Sequence, residues 1–268
     1  MKNKIFIAFI IFVLTACDKQ EEITLDSDIP VIEAYLIPGK GIENVRLTKL
    51  IPYSTDNEDI ILETINDAEI KIIGNNSVYY LVPSVDSGYY HCPDYSAIIE
   101  EDTEYSIEFL YNDKIVTAKT LSPSKPNNFA ISESSIYFER VIEGSMPTFT
   151  NETYEITWDN LDDKFYYLTI ELIESTPDPI NFNMESDPEK MISSPMQTDV
   201  YNITSKTIKF FGTYRVVLYK VNQEYVNLYE DISQNSISMT EPLTNIENGK
   251  GIFTSFNTDT LYFEVKEW

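Results

Sequence analysis

A chain of 268 residues with 19 lysines and arginines against 44 aspartates and glutamates carries a formal net charge of −25. Such a field repels nucleic acid and anionic lipid headgroups. One histidine and two cysteines exclude a histidine-rich zinc site and a disulfide scaffold, and leave a Ser-His-Asp triad only if His91 alone supplies the base.

Lys2 and Lys4 precede an apolar run from Ile5 to Leu14. That run is about half the ~20 residues a membrane-spanning helix needs, so residues 1–16 read as a secretory signal. Leu14-Thr15-Ala16-Cys17 resembles a bacterial lipobox, with leucine three positions before the cysteine and small residues between. Cleavage before Cys17 and lipidation of Cys17 are therefore expected, with the membrane as a partner through that lipid. Residues 17–29 are polar and aperiodic and read as a flexible tether. The order Cys17-Asp18-Lys19-Gln20-Glu21-Glu22 is similar to acidic surface-export signals of Bacteroidota lipoproteins. An Asp beside the lipid site signals inner-membrane retention in some other bacteria. The acidic run favours the outer membrane, facing the cell exterior.

From Pro30 the pattern changes to short alternating strands. Pro30 to Leu36 sets Ile32, Ala34 and Leu36 against Val31, Glu33 and Tyr35. Val45 to Leu50, Ala68 to Ile73 and Val78 to Val82 follow, the last two joined at Asn75-Asn76. Gly88 to Tyr95 holds a short strand and a turn. Tyr105 to Tyr111 and Lys114 to Thr120 flank Asn112-Asp113 as a hairpin. Seven strands over residues 30–121 predict a β-sandwich. Ser122 to Asn128, with Pro123 and Pro126, reads as a linker.

Residues 129–268 predict a second β-rich domain. Thr153 to Trp158 and Phe165 to Ile173 are strands, as are Lys206 to Phe211, Thr213 to Val221 and the closing Leu261 to Val265. Gly249-Lys250-Gly251 reads as a turn. Residues 223–234 switch to helical spacing through Tyr225, Leu228 or Tyr229, and Ile232. Residues 174–198 form a long segment with four prolines and no repeating apolar pattern. Loops of that length in compact domains are disordered or functional. Phe182, Met184, Met191, Ile192 and Met196 are its apolar groups and the candidate partner contacts.

No catalytic constellation emerges. His91 and Cys92 are neighbours, so on a strand they point to opposite faces and read as a surface histidine beside a packing cysteine. Asp56, Glu58 and Asp59 lack the ordered spacing of a calcium loop and read as a solvated edge. Tyr79, Tyr80, Tyr89, Tyr90 and Tyr95 divide between core and sheet surface, with stacking on sugars or peptides as the functional alternative. No catalytic residue, metal or cofactor is expected.

Several stretches together carry a resemblance. These are PVIEAYL at 30–36, VRLTKLIPYSTDN at 45–57, GYYHCPDY at 88–95 and YSIEFLYNDKIVTAKT at 105–120, with NQEYVNLYED at 222–231 and EPLTNIENGKGIFTSFNTDT at 241–260. In this order, behind a lipobox, they resemble an uncharacterised Bacteroidota surface lipoprotein family (domain of unknown function 4249-like), often encoded beside TonB-dependent receptors. Cys92 departs from the small polar residue expected before Pro93. The resemblance implies an all-β protein of two β-sandwich-like domains. The first is similar to transthyretin and carboxypeptidase-regulatory domains, the second to a fibronectin domain with one added helix. It implies no catalytic residues. The expected function is a non-enzymatic outer-membrane accessory to a TonB-dependent nutrient receptor, with the ligand open and no nucleic acid. The alternative is a structural or adhesive cell-surface module.

Overall fold

Side chains on a strand alternate between its faces, and Pro30–Leu36 uses that alternation directly. Ile32, Ala34 and Leu36 are buried, while Tyr35 is exposed. The computed structural model describes residues 28–50, 63–144, 153–183, 190–204, 206–234 and 243–268. The leader, Cys17, nearly all of the tether, the Ser54 to Asp59 edge and Met184 lie outside the described residues.

The first half contains β1 (Pro30–Leu36), β2 (Val45–Lys49), β3 (Lys71–Gly74), β4 (Ser77–Tyr80), β5 (Val82–Pro83), β6 (Tyr89–His91), β7 (Thr103–Tyr111) and β8 (Lys114–Ser122). One layer is the sheet β4-β3-β7-β8; the other runs β1-β2-β6-β5. Between them lies a core that includes Ile32, Leu47, Ile72, Tyr90, Ile107 and Val116. The turns follow from their chemistry. Asn75 and Asn76 have φ of 48° and 57°, and Asn112 and Asp113 have 47° and 61°. Two consecutive left-handed residues are what a two-residue hairpin needs, and Asn and Asp adopt that region most readily.

The second half contains β9 (Ala130–Ile131), β10 (Ser135–Phe138), β11 (Thr153–Thr157), β12 (Phe165–Leu172), β13 (Asp178–Pro179), β14 (Met191–Ile192), β15 (Val200–Thr204), β16 (Phe210–Val221), α1 (Gln223–Gln234) and β17 (Lys250–Glu267). The small sheet β15-β11-β9 faces β14-β12-β16-β17, with β10 also paired to β17. The core between includes Ile156, Trp158, Leu168, Ile203, Val216 and Phe263. The fold is all-β, two sandwiches with one added helix among the described residues.

The 18-residue β17 joins the two sandwiches into one sheet. Its first part runs parallel to β1, from Val31 opposite Lys250 to Leu36 opposite Ser255. Its middle runs antiparallel to β16, from Phe256 opposite Val221 to Val265 opposite Gly212. By alternation Phe253, Phe263 and Val265 share one face; Phe253 fills the first core and the other two fill the second.

This corrects two expectations. The closing strand is far longer than Leu261 to Val265, and Gly251 lies inside it rather than in a turn. A Cβ on Gly251 would lie 2.0 Å from the Ile32 carbonyl oxygen, and its φ is +95°, so the glycine serves the close approach of β1. Likewise Phe210 to Val221 is a single strand, with Gly212 inside its ladder to β17, and not two strands.

Residues 122–128 lie between the sandwiches without being a loose linker. Ser122 is fully buried. Asn257 donates to the Pro123 carbonyl at 3.1 Å, Lys220 to Ser124 at 3.0 Å, and Lys125 pairs with Asp259 at 3.0 Å. Residues 129–268 also do not keep to themselves, because Ile246 and Phe253 belong to the first core.

Candidate functional site

The shared sheet has a second face, turned away from both cores. On β1 it carries Tyr35, on β17 Phe256, on β16 Tyr219 and on β12 Tyr167. Register brings these rings together. Tyr167 stands opposite Tyr219, which stands opposite Thr258, while Tyr35 stands opposite Thr254. Tyr167 and Tyr219 stack with centroids 4.4 Å apart and planes 5° apart. Phe256 meets Tyr219 edge-on at 5.7 Å and Tyr35 at 6.2 Å.

Helix α1 supplies the fifth ring. Its first turn is capped by Asn222, whose carbonyl accepts from the amides of Tyr225 and Val226. The Asn222 side chain also donates to Thr120 Oγ1 at 3.0 Å and the Leu121 carbonyl at 2.7 Å. Glu224 Oε1 accepts from Thr120 at 2.6 Å and Thr254 at 3.2 Å, a carboxylate at the positive end of the helix dipole. With Val226 buried, the helix start is pinned to β8 and β17 at once. Tyr225 therefore lands on Tyr167, with centroids 5.4 Å apart and planes 15° apart.

Tyr35, Tyr167, Tyr225 and Phe256 line one side of a cleft of about 510 Å³, with Tyr219 stacked behind them; Ile37, Lys40, Gly41, Glu43 and Asn44, from the β1–β2 connection, line the other. Burial pushes the phenols of Tyr35, Tyr167 and Tyr225 up; Tyr167 is displaced furthest, and also donates a hydrogen bond to Tyr225. All three stay neutral near pH 7. The cleft thus offers ring edges, phenolic hydroxyls, one lysine and one glutamate. This is the equipment of a binding site, where amphipathic rings give contact area and their polar ends fix orientation. Among the described residues no group of three or more His, Cys, Asp or Glu converges to hold a metal.

The candidate contacts of residues 174–198 are dispersed. Met191 and Met196 pack against the second core, and β14 pairs with β12. The amide and carbonyl of Met196 both bond Tyr166. Residues 190–196 therefore edge the sheet instead of standing free, with Met191 and Met196 half-buried there. Phe182 and Ile192 remain exposed. The described part of this segment is strand-paired because a proline every few residues limits strands to short pieces without preventing them.

The tyrosines singled out from sequence do not converge either. Tyr90 is fully buried and donates to the Ile65 carbonyl at 2.9 Å. Tyr80 and Tyr95 are exposed, and Tyr89 lies under the Arg46 guanidinium at 5.7 Å. Cys92 is a buried free thiol, while the His91 ring bonds Ser84 at 2.9 Å. Of the five clustered rings, the signal in the sequence was Tyr35 on the outward face of β1. Tyr167 and Tyr219 were visible only as strand residues.

The sequence matches, over residues 19–261, the family described as Domain of unknown function (DUF4249). The chain belongs to that family. The ordered stretches from PVIEAYL to GKGIFTSF fall within the matched span of the DUF4249 domain. No curated protein matches the chain. Among solved structures it is similar to a two fibronectin type-III domain segment from chicken tenascin. Identity is 12%, covering 72% of this chain and 91% of that one, with a TM-score of 0.21. It is also similar to the chicken CNTN1 FN1-FN3 domains at 10% identity, covering 71% of this chain and 60% of that one, with a TM-score of 0.25. The fold of this DUF4249 member is read from its own strand pairings, not from those superpositions.

Proposed function

We propose that this DUF4249 protein is a non-enzymatic, lipid-anchored protein of the outer-membrane surface that captures a ligand in its tyrosine-lined cleft and passes it to a TonB-dependent receptor. The observation that carries the binding role is the cleft itself. Five rings from β1, β12, β16, β17 and α1 meet on one face of a continuous sheet, beside a loop bearing Lys40, Glu43 and Asn44. Anchorage through Cys17 rests on the lipobox-like Leu14 to Cys17. The receptor association rests on the gene neighbourhood that the family resemblance implies.

A pull-down from native membranes in mild detergent tests this reading. Wild-type protein recovers an outer-membrane receptor, and Cys17→Ala releases the body into the soluble fraction. Tyr35→Ala with Tyr225→Ala leaves the receptor bound and removes the ligand. Recovery of no outer-membrane protein, or an acyl-free N-terminus, overturns it. One observation favours a second reading as a surface spacer: β17 runs through both sandwiches, which stiffens the junction. Polymerisation or matrix binding without a co-purifying receptor would support that reading.

A further inference from the structure

A second cavity, of about 290 Å³, opens in the far sandwich between β12 and β16 on one side and the β15–β16 connection on the other. Its size is near the low end of the ~300–1,000 Å³ usual for small-molecule sites. The floor is apolar: Ile170, Ile208, Phe210 and Tyr214 are all buried, and Leu172 adjoins them. Met191 and Tyr201 complete a wall, with the Tyr201 hydroxyl meeting the Met191 sulfur at 3.8 Å.

The rim inverts the charge of the rest of the molecule. Among the described residues, Lys190, Lys206 and Lys209 line the cavity and no acidic residue does, in a chain with 44 acidic residues against 19 basic ones. Most of the other lysines and arginines in the fold are paired, including Arg46, Lys49, Lys71, Lys119 and Lys125. The three rim lysines form no ion pair among the described residues. Glu171 feels the charge of Lys190 but bonds Arg215 at 2.6 Å.

Three ammonium groups gathered beside an apolar floor suit an anion with an apolar body. The protein's overall negative field does not cancel this, because at physiological salt charges are screened beyond about 8 Å. A polyphosphate or nucleotide fits poorly, since it leaves the floor wet. A neutral lipid leaves the lysines without a role. We infer that this cavity binds a small amphipathic monocarboxylate, with the apolar body on Ile170, Ile208 and Phe210 and the carboxylate at the three lysines. The site is separate from the tyrosine cleft and stands or falls independently of it.

Calorimetric titration of the full soluble chain with decanoate, and in parallel with decanol, tests the inference. Decanoate binds saturably at one per chain, and decanol at least tenfold more weakly. Lys190→Gln, Lys206→Gln and Lys209→Gln combined lowers decanoate affinity about tenfold and leaves decanol unchanged. Met191→Trp, which fills the cavity from its edge, removes both. Tyr35→Ala in the cleft changes neither. Thermal melts confirm that each variant is folded. Absence of saturable decanoate binding, equal affinity for decanol, or an unaffected triple lysine variant overturns the assignment.

Discussion

The two sandwiches use the same strand and close in opposite ways. The second is completed by sequence neighbours. β12, β16 and β17 form an antiparallel run in which β16 and β17 share ten residue pairs. The first is assembled from local hairpins, yet its edge strand β1 is covered by six residues from the far end of the chain, in parallel. Parallel pairing is slightly weaker per residue and needs a long connection. The first sandwich therefore depends on a distant segment, while the second contains all of its own parts. The difference teaches that the boundary between the halves is a property of the cores, not of the sheet.

The sharpest way to break that asymmetry is Gly251→Val. Its Cβ would meet the Ile32 carbonyl oxygen at 2.0 Å, and its φ of +95° disfavours any side chain. The clash is with backbone, so β1 and β17 must separate. The expected loss is about 4 kcal/mol or more. It should fall on the first sandwich, with the emission of buried Trp158 in the second core retained. A denaturant melt indistinguishable from wild type would show that the parallel pairing is dispensable.

A matched pair on one strand measures the same contrast more evenly. Phe253 and Phe263 are both buried, one in each core. Each truncation to alanine should cost about 3–5 kcal/mol. Hydrogen exchange separates them: Phe253→Ala should loosen amides of β1, β3 and β7, and Phe263→Ala those of β11, β12 and β16. Equal loosening everywhere in both variants would mean a single cooperative unit.

These experiments bear on what the sequence could reveal. β1 was legible to the residue because Ile32, Ala34 and Leu36 alternate with Val31, Glu33 and Tyr35. The hairpins at Asn75-Asn76 and Asn112-Asp113 were legible because turn chemistry is local. So was α1, from its change of period. β17 was not, because glycine at 249 and 251 signals a turn in isolation, and only the Ile32 carbonyl beside Gly251 explains it otherwise. The cleft was half visible. The outward face of Tyr35 follows from alternation, but its meeting with Phe256 and Tyr167 depends on the register between segments far apart in the chain. The three rim lysines carry no local pattern at all. Their unity comes from the start of β14 meeting the β15–β16 connection.

Alkaline pH should weaken the second sandwich by a smaller amount, and it bears on the first as well, because burial also pushes up the phenols of Tyr90, Tyr105 and Tyr111 there. Burial pushes the phenols of Tyr166 and Tyr214, both in the second core, up to about 12. A proton held more tightly in the folded chain means that stability is fully present below the unfolded value of about 10 and falls as pH rises toward about 12. The expected loss over that window is about 2–3 kcal/mol per group. Tyrosinate absorbance should then show a late group of tyrosines that ionises together with loss of the Trp158 signal. Ionisation of every tyrosine near pH 10 in a protein that stays folded would contradict it.

The smallest effect concerns how the second sandwich is finished at its outer end. Where β1 relies on a bare glycine contact, this end relies on charge. Arg140 donates to both carboxylate oxygens of Asp178, at 2.7 and 2.8 Å, and to Glu267 at 3.0 Å. Its guanidinium also lies 4.6 Å from the Phe211 ring centroid. One side chain thereby ties the segment after β10 to β13 and to the end of β17. The groups are substantially exposed, with Asp178 at 54% and Glu267 at 51%, so water and salt weaken the pairs and each should contribute about 1 kcal/mol or less. Planarity matters more than charge at such a fork. Arg140→Lys should therefore lose most of what Arg140→Ala loses, as neither keeps the bidentate bond. The Arg140 hydrogen bonds hold the Asp178 carboxyl below its ordinary value. Its contribution is accordingly present above the unfolded carboxylate value of about 3.9 and is lost as pH falls through the lower folded one. A double-mutant cycle of Arg140→Ala with Asp178→Asn, run at neutral pH and again in acid, isolates the pair. The coupling should be measurable at neutral pH and vanish in acid. A coupling of the same size in both would assign it to hydrogen bonding between Arg140 and a neutral Asp178 rather than to the ion pair.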